Sequence, residues 1–221
     1  MKLRVFALLA ATFAAACGPA AHAQPASPPA EARFVAGQHY QVLDPAQPTR
    51  VAPGKVEVAE IFWYGCPHCY RLSPYIQAWK KTRPDAAELV QVPAVLSPRW
   101  HAHARLFYAT MALGIHEQAH EQVFRQIHAH RNPLADLEQM TEFLGRFGVS
   151  EEDARTTLTS FAVEAEVRMA DARVRGYRLT GVPAVVINGK YVTRVDAAGG
   201  FDALLDLINH LVELEAAALR D

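Results

Sequence analysis

Hydrophobic residues recur along this chain with two different periods, and the change from one to the other divides it. The first strong pattern is at residues 55–64. Val56, Val58, Glu60 and Phe62 share one face of the predicted strand, and Ala59, Ile61 and Trp63 share the other. Apolar residues on both faces mark a strand covered by helices on both sides. Glu60 therefore falls in an interior, where a carboxylate has a raised pKa unless it is paired.

Helical periodicity follows over residues 67–83, stopped by Pro84, and a second strand is predicted at residues 88–94. From residue 97 to about residue 177 the period is helical throughout. Stretches 100–113, 117–129, 137–147 and 163–177 each read as a helix, and Ser150-Glu151-Glu152-Asp153 is a capping-box-like start. Some eighty residues without a strand are too many for one βα crossover, so they predict a helical domain inserted between strands.

Residues 181–192 return to strand character. Two strands flank Asn188-Gly189, a type I′ hairpin turn. Pro183, with no N–H to offer a ladder, implies an edge position or a special turn there. A cis bond is a minority outcome for such a proline on sequence grounds. Residues 200–219 close the chain as an amphipathic helix. At the other end, residues 40–43 predict a short strand, and Pro45, Pro48 and Pro53-Gly54 a loop.

Composition narrows the function classes. Of the 221 residues, 51% are hydrophobic, enough for a sizeable core, and the net charge of −1 favours neither nucleic acid nor an anionic membrane surface as partner. The N-terminus reads as a signal peptide over residues 1–23. Lys2 and Arg4 precede an apolar stretch from Val5 to Ala16, and Ala21-His22-Ala23 is a small-x-small cleavage site. Cleavage there removes Cys17 and leaves a Pro- and Ala-rich mobile lead-in over residues 24–38. The alternative is a lipoprotein acylated at Cys17 with residues 18–38 as a tether, but Ala14 stands where a lipobox usually has Leu. The expected compartment is the periplasm.

After cleavage only Cys66 and Cys69 remain, in Gly65-Cys66-Pro67-His68-Cys69-Tyr70. Pro67 suits the first turn of a helix, which puts Cys66 at or near the N-cap. Unpaired backbone N–H groups and the positive end of the helix dipole favour a thiolate there, and the thiolate is the reactive form of cysteine. The dipole supplies only ~0.3–1 kcal/mol, so His68 and nearby N–H groups are expected to add more. Cys69 lies on the same face three residues on. So short a loop restrains the unfolded chain little, which favours reversible exchange over stapling. A structural zinc site needs two further ligands of recognisable spacing, and covalent haem needs His where Tyr70 stands.

These features match a known family. Cys66-Pro67-His68-Cys69 with Glu60 upstream, and Gly181-Val182-Pro183 leading into residues 185–191, resemble the DsbA family of periplasmic thiol:disulfide oxidoreductases. The resemblance spans essentially the whole mature chain. It implies an α/β thioredoxin fold with an inserted helical domain: residues 39–96 and 178–221 as the thioredoxin-like parts, residues 97–177 as the insertion. It further implies a cis Pro183 beside the sulfurs, Cys66 as exposed nucleophile and Cys69 as buried partner. Glu60 becomes a proton-handling carboxylate beneath them, and the Val182 backbone pairs with a substrate strand. The implied activity is donation of the Cys66–Cys69 disulfide to exported, folding proteins, with reoxidation by a membrane quinone-linked partner of the DsbB type. No cofactor or metal is called for, and a monomer is expected. Gly65 departs from the aromatic residue the family often has, which is expected to reshape the rim of the peptide groove.

Some features point elsewhere. His116-Glu117-Gln118-Ala119-His120 matches the His-Glu-x-x-His pattern of zinc proteases, yet no third ligand follows in a recognisable motif. His101, His103, His128 and His130 read as solvated helix-surface residues. A disulfide isomerase or reductase is the rival enzyme, but such isomerases carry a dimerisation domain for which there is no room before residue 39. A non-catalytic peptide-binding chaperone is the rival binder, against which intact cysteines argue.

Overall fold

The computed structural model describes residues 33–220, so the predicted leader, Cys17 and most of the lead-in lie outside the described residues. Strands β1 (Tyr40–Val42), β2 (Val56–Phe62), β3 (Ala87–Pro93), β4 (Ala184–Ile187) and β5 (Tyr191–Thr193) form one sheet in the order β1-β5-β4-β2-β3. β2 and β3 are parallel, and the other neighbours are antiparallel. Helix α1 (Pro67–Thr82) is the crossover between the parallel pair. Between β3 and β4 stand α2 (His101–Ala112), α3 (His116–His128), α4 (Leu137–Gly145), α5 (Glu151–Leu158) and α6 (Phe161–Gly176). Helices α7 (Val195–Ala198) and α8 (Phe201–Ala218) follow β5. This is a thioredoxin-like α/β fold carrying an inserted helical domain.

All seven residues of β2 are buried, because the strand meets three cores. Val56 and Val58 pack with Leu72 and Ile76 of α1 and Leu207 and Leu211 of α8. Ala59 and Ile61, on the opposite face, pack with Val92 and with Val174 of α6. Phe62 joins a cluster built mainly by the inserted helices from Leu106, Phe124, Phe143 and Leu158. Each buried Val, Leu, Ile or Phe among these contributes about 1.5–3 kcal/mol. Cys66 and Cys69 belong to this last cluster. The sheet and α1 carry the cysteines, and the helical insertion covers them.

Local signals behave as the chain's chemistry dictates. Asn188 (φ 51°) and Gly189 (φ 63°) both take the left-handed conformation of a type I′ turn. A Cβ on Gly189 would lie 2.0 Å from the Gln47 carbonyl oxygen, so glycine is required twice over. Ser150 caps α5 by accepting the Asp153 N–H at 3.0 Å. Pro183 precedes a strand paired on both sides, so of the two alternatives the special turn is the one found, with a cis Val182–Pro183 bond. The short α7 was not foreseen by period.

The helix-surface reading of the histidines needs correction. His130 is exposed, but His103 is 6% exposed and His128 is only partly so. α2 and α3 pack onto the turn that holds the cysteines, so their polar face becomes an interface. His103 donates from Nε2 to the Pro133 carbonyl at 2.8 Å. His128 donates from Nε2 to the Tyr64 carbonyl at 2.8 Å and stacks on Tyr70 with ring centroids 4.8 Å apart. His101 Nε2 reaches Glu164 at 3.2 Å.

Candidate active site

Cys66 is the N-cap of α1 and Pro67 its first residue. The turn before it closes through the Cys66 N–H to the Trp63 carbonyl at 2.9 Å. Cys66 Sγ accepts the Cys69 N–H at 3.4 Å and faces the Val182 carbonyl at 3.7 Å. Donors around the sulfur favour its charged form. The Cys66 thiol is lowered from 9.0 to about 6, chiefly by a hydrogen bond from the Cys69 side chain, against desolvation. The backbone N–H groups of Cys69 and His68 follow, and the charge of His68 comes last. Burial pushes the Cys69 thiol far up, and the negative charges of Cys66 and Glu60 add to that. One sulfur is thus poised as a thiolate and the other is held as a thiol. Cys66 is 7% exposed and Cys69 fully buried, so only Cys66 offers an edge to a partner.

His68 is exposed, and its ring accepts from Arg71 Nη2 at 2.8 Å rather than reaching the sulfur. This ranks the local contributions differently from the sequence, which favours His68. Replacing Cys69 with Ala is therefore expected to raise the Cys66 pKa more than replacing His68 with Ala, which keeps the backbone N–H. The pH profile of alkylation at Cys66 in the two variants measures this, and a larger rise in His68→Ala would reverse the ranking.

Gly65 has a plain reason to be glycine. A Cβ there would lie 2.3 Å from the Trp63 ring, which folds across it. Trp63 stacks on Trp100 at 4.5 Å, with the planes 4° apart. The aromatic surface beside Gly65 comes from the stacked Trp63 and Trp100. The pattern of the strand could not disclose this, because Trp100 comes from the far side of β3.

Beside Cys66, a groove of about 280 Å³ is lined by His68, Val182, Pro183, Arg194, Val195 and Phe201, among others. Among the described residues the Val182 N–H makes no backbone hydrogen bond. The structure thus brings Cys66, Cys69, His68, Val182 and Pro183 to one place.

Glu60 lies beneath, 1% exposed. β2 carries a second buried carboxylate that sequence reading passed over, and the two differ in their partners. Glu57 pairs with Arg173 of α6 and accepts the Arg50 N–H at 2.8 Å. Glu60 has an amide instead of a cation, with Gln91 Nε2 at 2.9 Å. Burial raises Glu60 from 4.5 to about 7; the Gln91 hydrogen bond opposes this and Glu121 adds to it. Gln91 was also passed over, although a glutamine amid the apolar residues of β3, in register with Glu60, was a visible sign.

A reactive cysteine pair at a helix N-terminus after a buried strand, facing a cis-proline turn, defines a thioredoxin-fold thiol:disulfide oxidoreductase. Residues 57–209 match the DSBA-like thioredoxin domain family. The chain belongs to the DsbA family. It is 37% identical over 187 residues to the thiol:disulfide interchange protein DsbA of Pseudomonas aeruginosa, covering 85% of this chain and 88% of that protein. With DsbA of Azotobacter vinelandii it shares 36% over 217 residues, 98% of this chain and 99% of that one. The crystal structure of Pseudomonas aeruginosa DsbA matches with a TM-score of 0.80 at 37% identity, covering 85% of this chain and 97% of that one.

Proposed function

We propose that this oxidoreductase works as an oxidase, passing the Cys66–Cys69 disulfide to exported proteins as they fold. The observation that carries the reading is the asymmetry of the pair: a stabilised thiolate at Cys66 beside a buried thiol at Cys69. Stabilising the Cys66 thiolate stabilises the reduced protein, which makes the disulfide the stronger oxidant. A substrate thiolate attacks Cys66 Sγ, the Cys66–Cys69 bond breaks, and Cys69 leaves with the electron pair. Cys69 then takes a proton, for which Glu60 is the buried source. A second substrate thiolate attacks the substrate sulfur of the mixed disulfide and displaces Cys66 as a thiolate. The substrate leaves oxidised by two electrons and the protein is reduced by two.

The Val182 N–H and carbonyl beside Pro183 would hold the substrate as an added strand. The reading places the chain in the periplasm as a monomer, exported by its leader over residues 1–23, with a DsbB-type quinone-linked membrane protein restoring the disulfide. It also assigns residues 39–96 and 178–221 to the thioredoxin-like unit and residues 97–177 to the insertion. The test is Cys69→Ser. The Cys66 thiolate can then form a mixed disulfide only by attacking a disulfide of an exported protein, and without Cys69 to displace that protein in the reverse direction such mixed disulfides are expected to accumulate. Accumulation in Cys66→Ser instead would overturn the assignment. A glutathione equilibrium giving a potential near that of thioredoxin, about −270 mV, would overturn the direction.

A further inference from the structure

Gln91 stands at the centre of a part-buried chain of polar side chains that ends on the Phe107 carbonyl. Its Nε2 lies 2.9 Å from Glu60 Oε2 and 2.9 Å from His120 Nε2, and its Oε1 lies 3.1 Å from His116 Nε2. His120 Nδ1 lies 2.9 Å from the Tyr64 hydroxyl. His116 Nδ1 lies 3.1 Å from the Thr110 hydroxyl, which also reaches the Phe107 carbonyl at 2.7 Å. His116 and His120 are the two histidines of the His-Glu-x-x-His sequence, and α3 presents both to β3. Their ring nitrogens are taken by these protein partners. His120 is 3% exposed, whereas His116 lines a cavity of about 420 Å³ together with Gln91, Lys80 and Glu117.

Hydrogen-bond polarity turns on Glu60: ionised, it can only accept and admits one orientation of the Gln91 amide, whereas protonated it can accept or donate and admits both. Burial holds both imidazoles neutral, so each has one donor and one acceptor. With Glu60 ionised, Gln91 Nε2 gives its two hydrogens to Glu60 and His120, and Oε1 accepts from His116 Nε2. His120 must then carry its proton on Nδ1 and donate to the Tyr64 oxygen. The Tyr64 hydrogen finds no acceptor in the chain, and one hydrogen on Thr110 must serve both His116 Nδ1 and the Phe107 carbonyl.

With Glu60 protonated, the carboxamide can reverse at the same heavy-atom positions, and doing so gives the new Glu60 hydroxyl an acceptor that the unreversed amide does not offer. Glu60 and His120 Nε2 now donate to Gln91 Oε1, and Tyr64 donates to His120 Nδ1. Gln91 Nε2 donates to His116 Nε2, His116 Nδ1 to Thr110, and Thr110 to the Phe107 carbonyl. Only the second hydrogen of Gln91 Nε2 then lacks a partner in the chain, on a residue that lines the cavity. The first arrangement instead strands the hydroxyl hydrogen of the buried Tyr64, and the better-satisfied network is the more stable one.

We propose that Gln91 is a positioning residue whose amide reverses with the proton on Glu60, and that His120 and His116 reverse their tautomers with it. The proposal rests on the reading of Glu60 as proton source for Cys69. The reversal favours the carboxylic acid, the form that can give a proton to Cys69. It also carries the proton state of Glu60 to His116 at the cavity wall. No proton crosses the amide; each imidazole moves its own proton between ring nitrogens by exchange with water. The charged and titratable groups facing the chain are Cys69 of α1, Glu121 of α3 and Tyr64 at Glu60, and Lys80 of α1 with Glu117 of α3 at the histidines.

Long-range 1H–15N NMR of the reduced full chain between pH 5 and 9 tests this, with the Glu60 carboxyl carbon followed in the same samples. His116 is expected to pass from Nδ1–H to Nε2–H, and His120 from Nε2–H to Nδ1–H, at the midpoint where the Glu60 carbon shifts. In Gln91→Leu the Glu60 carbon still titrates, but the histidine changes no longer share its midpoint. Fixed tautomers while Glu60 titrates in the wild type would overturn the proposal and leave the role of Glu60 standing. A doubly protonated imidazolium at that midpoint would do the same. A Glu60 carbon that does not titrate at all would overturn both.

Discussion

Glu60→Gln is expected to make the reduced protein more stable at alkaline pH, by about 3 kcal/mol relative to its effect in acid. The carboxyl group of Glu60 is raised from 4.5 to about 7 by burial. A raised folded pKa means that the native state holds its proton more tightly than the unfolded chain does. That stability is complete below about pH 4.5, falls as pH rises, and is lost above about pH 7. A glutamine keeps the shape of the protonated carboxyl and has no such slope. Urea melts of both proteins at pH 4 and pH 8 measure the difference. Parallel stability curves would mean that Glu60 ionises at no penalty and is not the buried proton store proposed for Cys69.

The second large effect separates the redox forms. Cys66 falls from 9.0 to about 6 in the folded, reduced protein. A depressed folded pKa contributes stability that is present above the unfolded value and lost as pH falls through the folded one. The reduced form should therefore gain about 2 kcal/mol on the oxidised form between pH 6 and pH 8. Opposing it is the disulfide itself. Closing so short a loop stabilises the oxidised form by about 2 kcal/mol in the chain-entropy account, with no dependence on pH. The two effects balance near pH 7 to 8, so the reduced protein is expected to be the more stable form only on the alkaline side. Urea midpoints of both forms at pH 6 and pH 8 decide it; a gap that does not change would show that Cys66 is no low-pKa thiol.

How far the sequence reached depends on how local the cause was. The two-sided burial of residues 56–62, the N-cap at Cys66, the I′ turn at Asn188-Gly189 and the Ser150 cap were legible, because each is set within a few residues by period, φ or a missing N–H. Resemblance added the cis Pro183 and the meeting of Val182 with Cys66, which periodicity alone could not supply.

What the sequence by itself determined, then, was which residues are chemically special: a thiolate-favouring cysteine and a carboxylate in a buried strand. Tertiary structure decided who their neighbours are. Glu57 and Glu60 look alike in β2, yet α6 brings Arg173 to one while β3 brings only Gln91 to the other. His103 and His128 look solvated on their helices until α2 and α3 are laid on the active-site turn. His116 and His120 have metal-ligand spacing, but packing against β3 and Tyr64 occupies their nitrogens. The physical reason is range. Capping and turns act within one or two bonded turns, whereas desolvation and hydrogen-bond partners depend on groups distant in sequence that only the packed chain brings within about 3 Å.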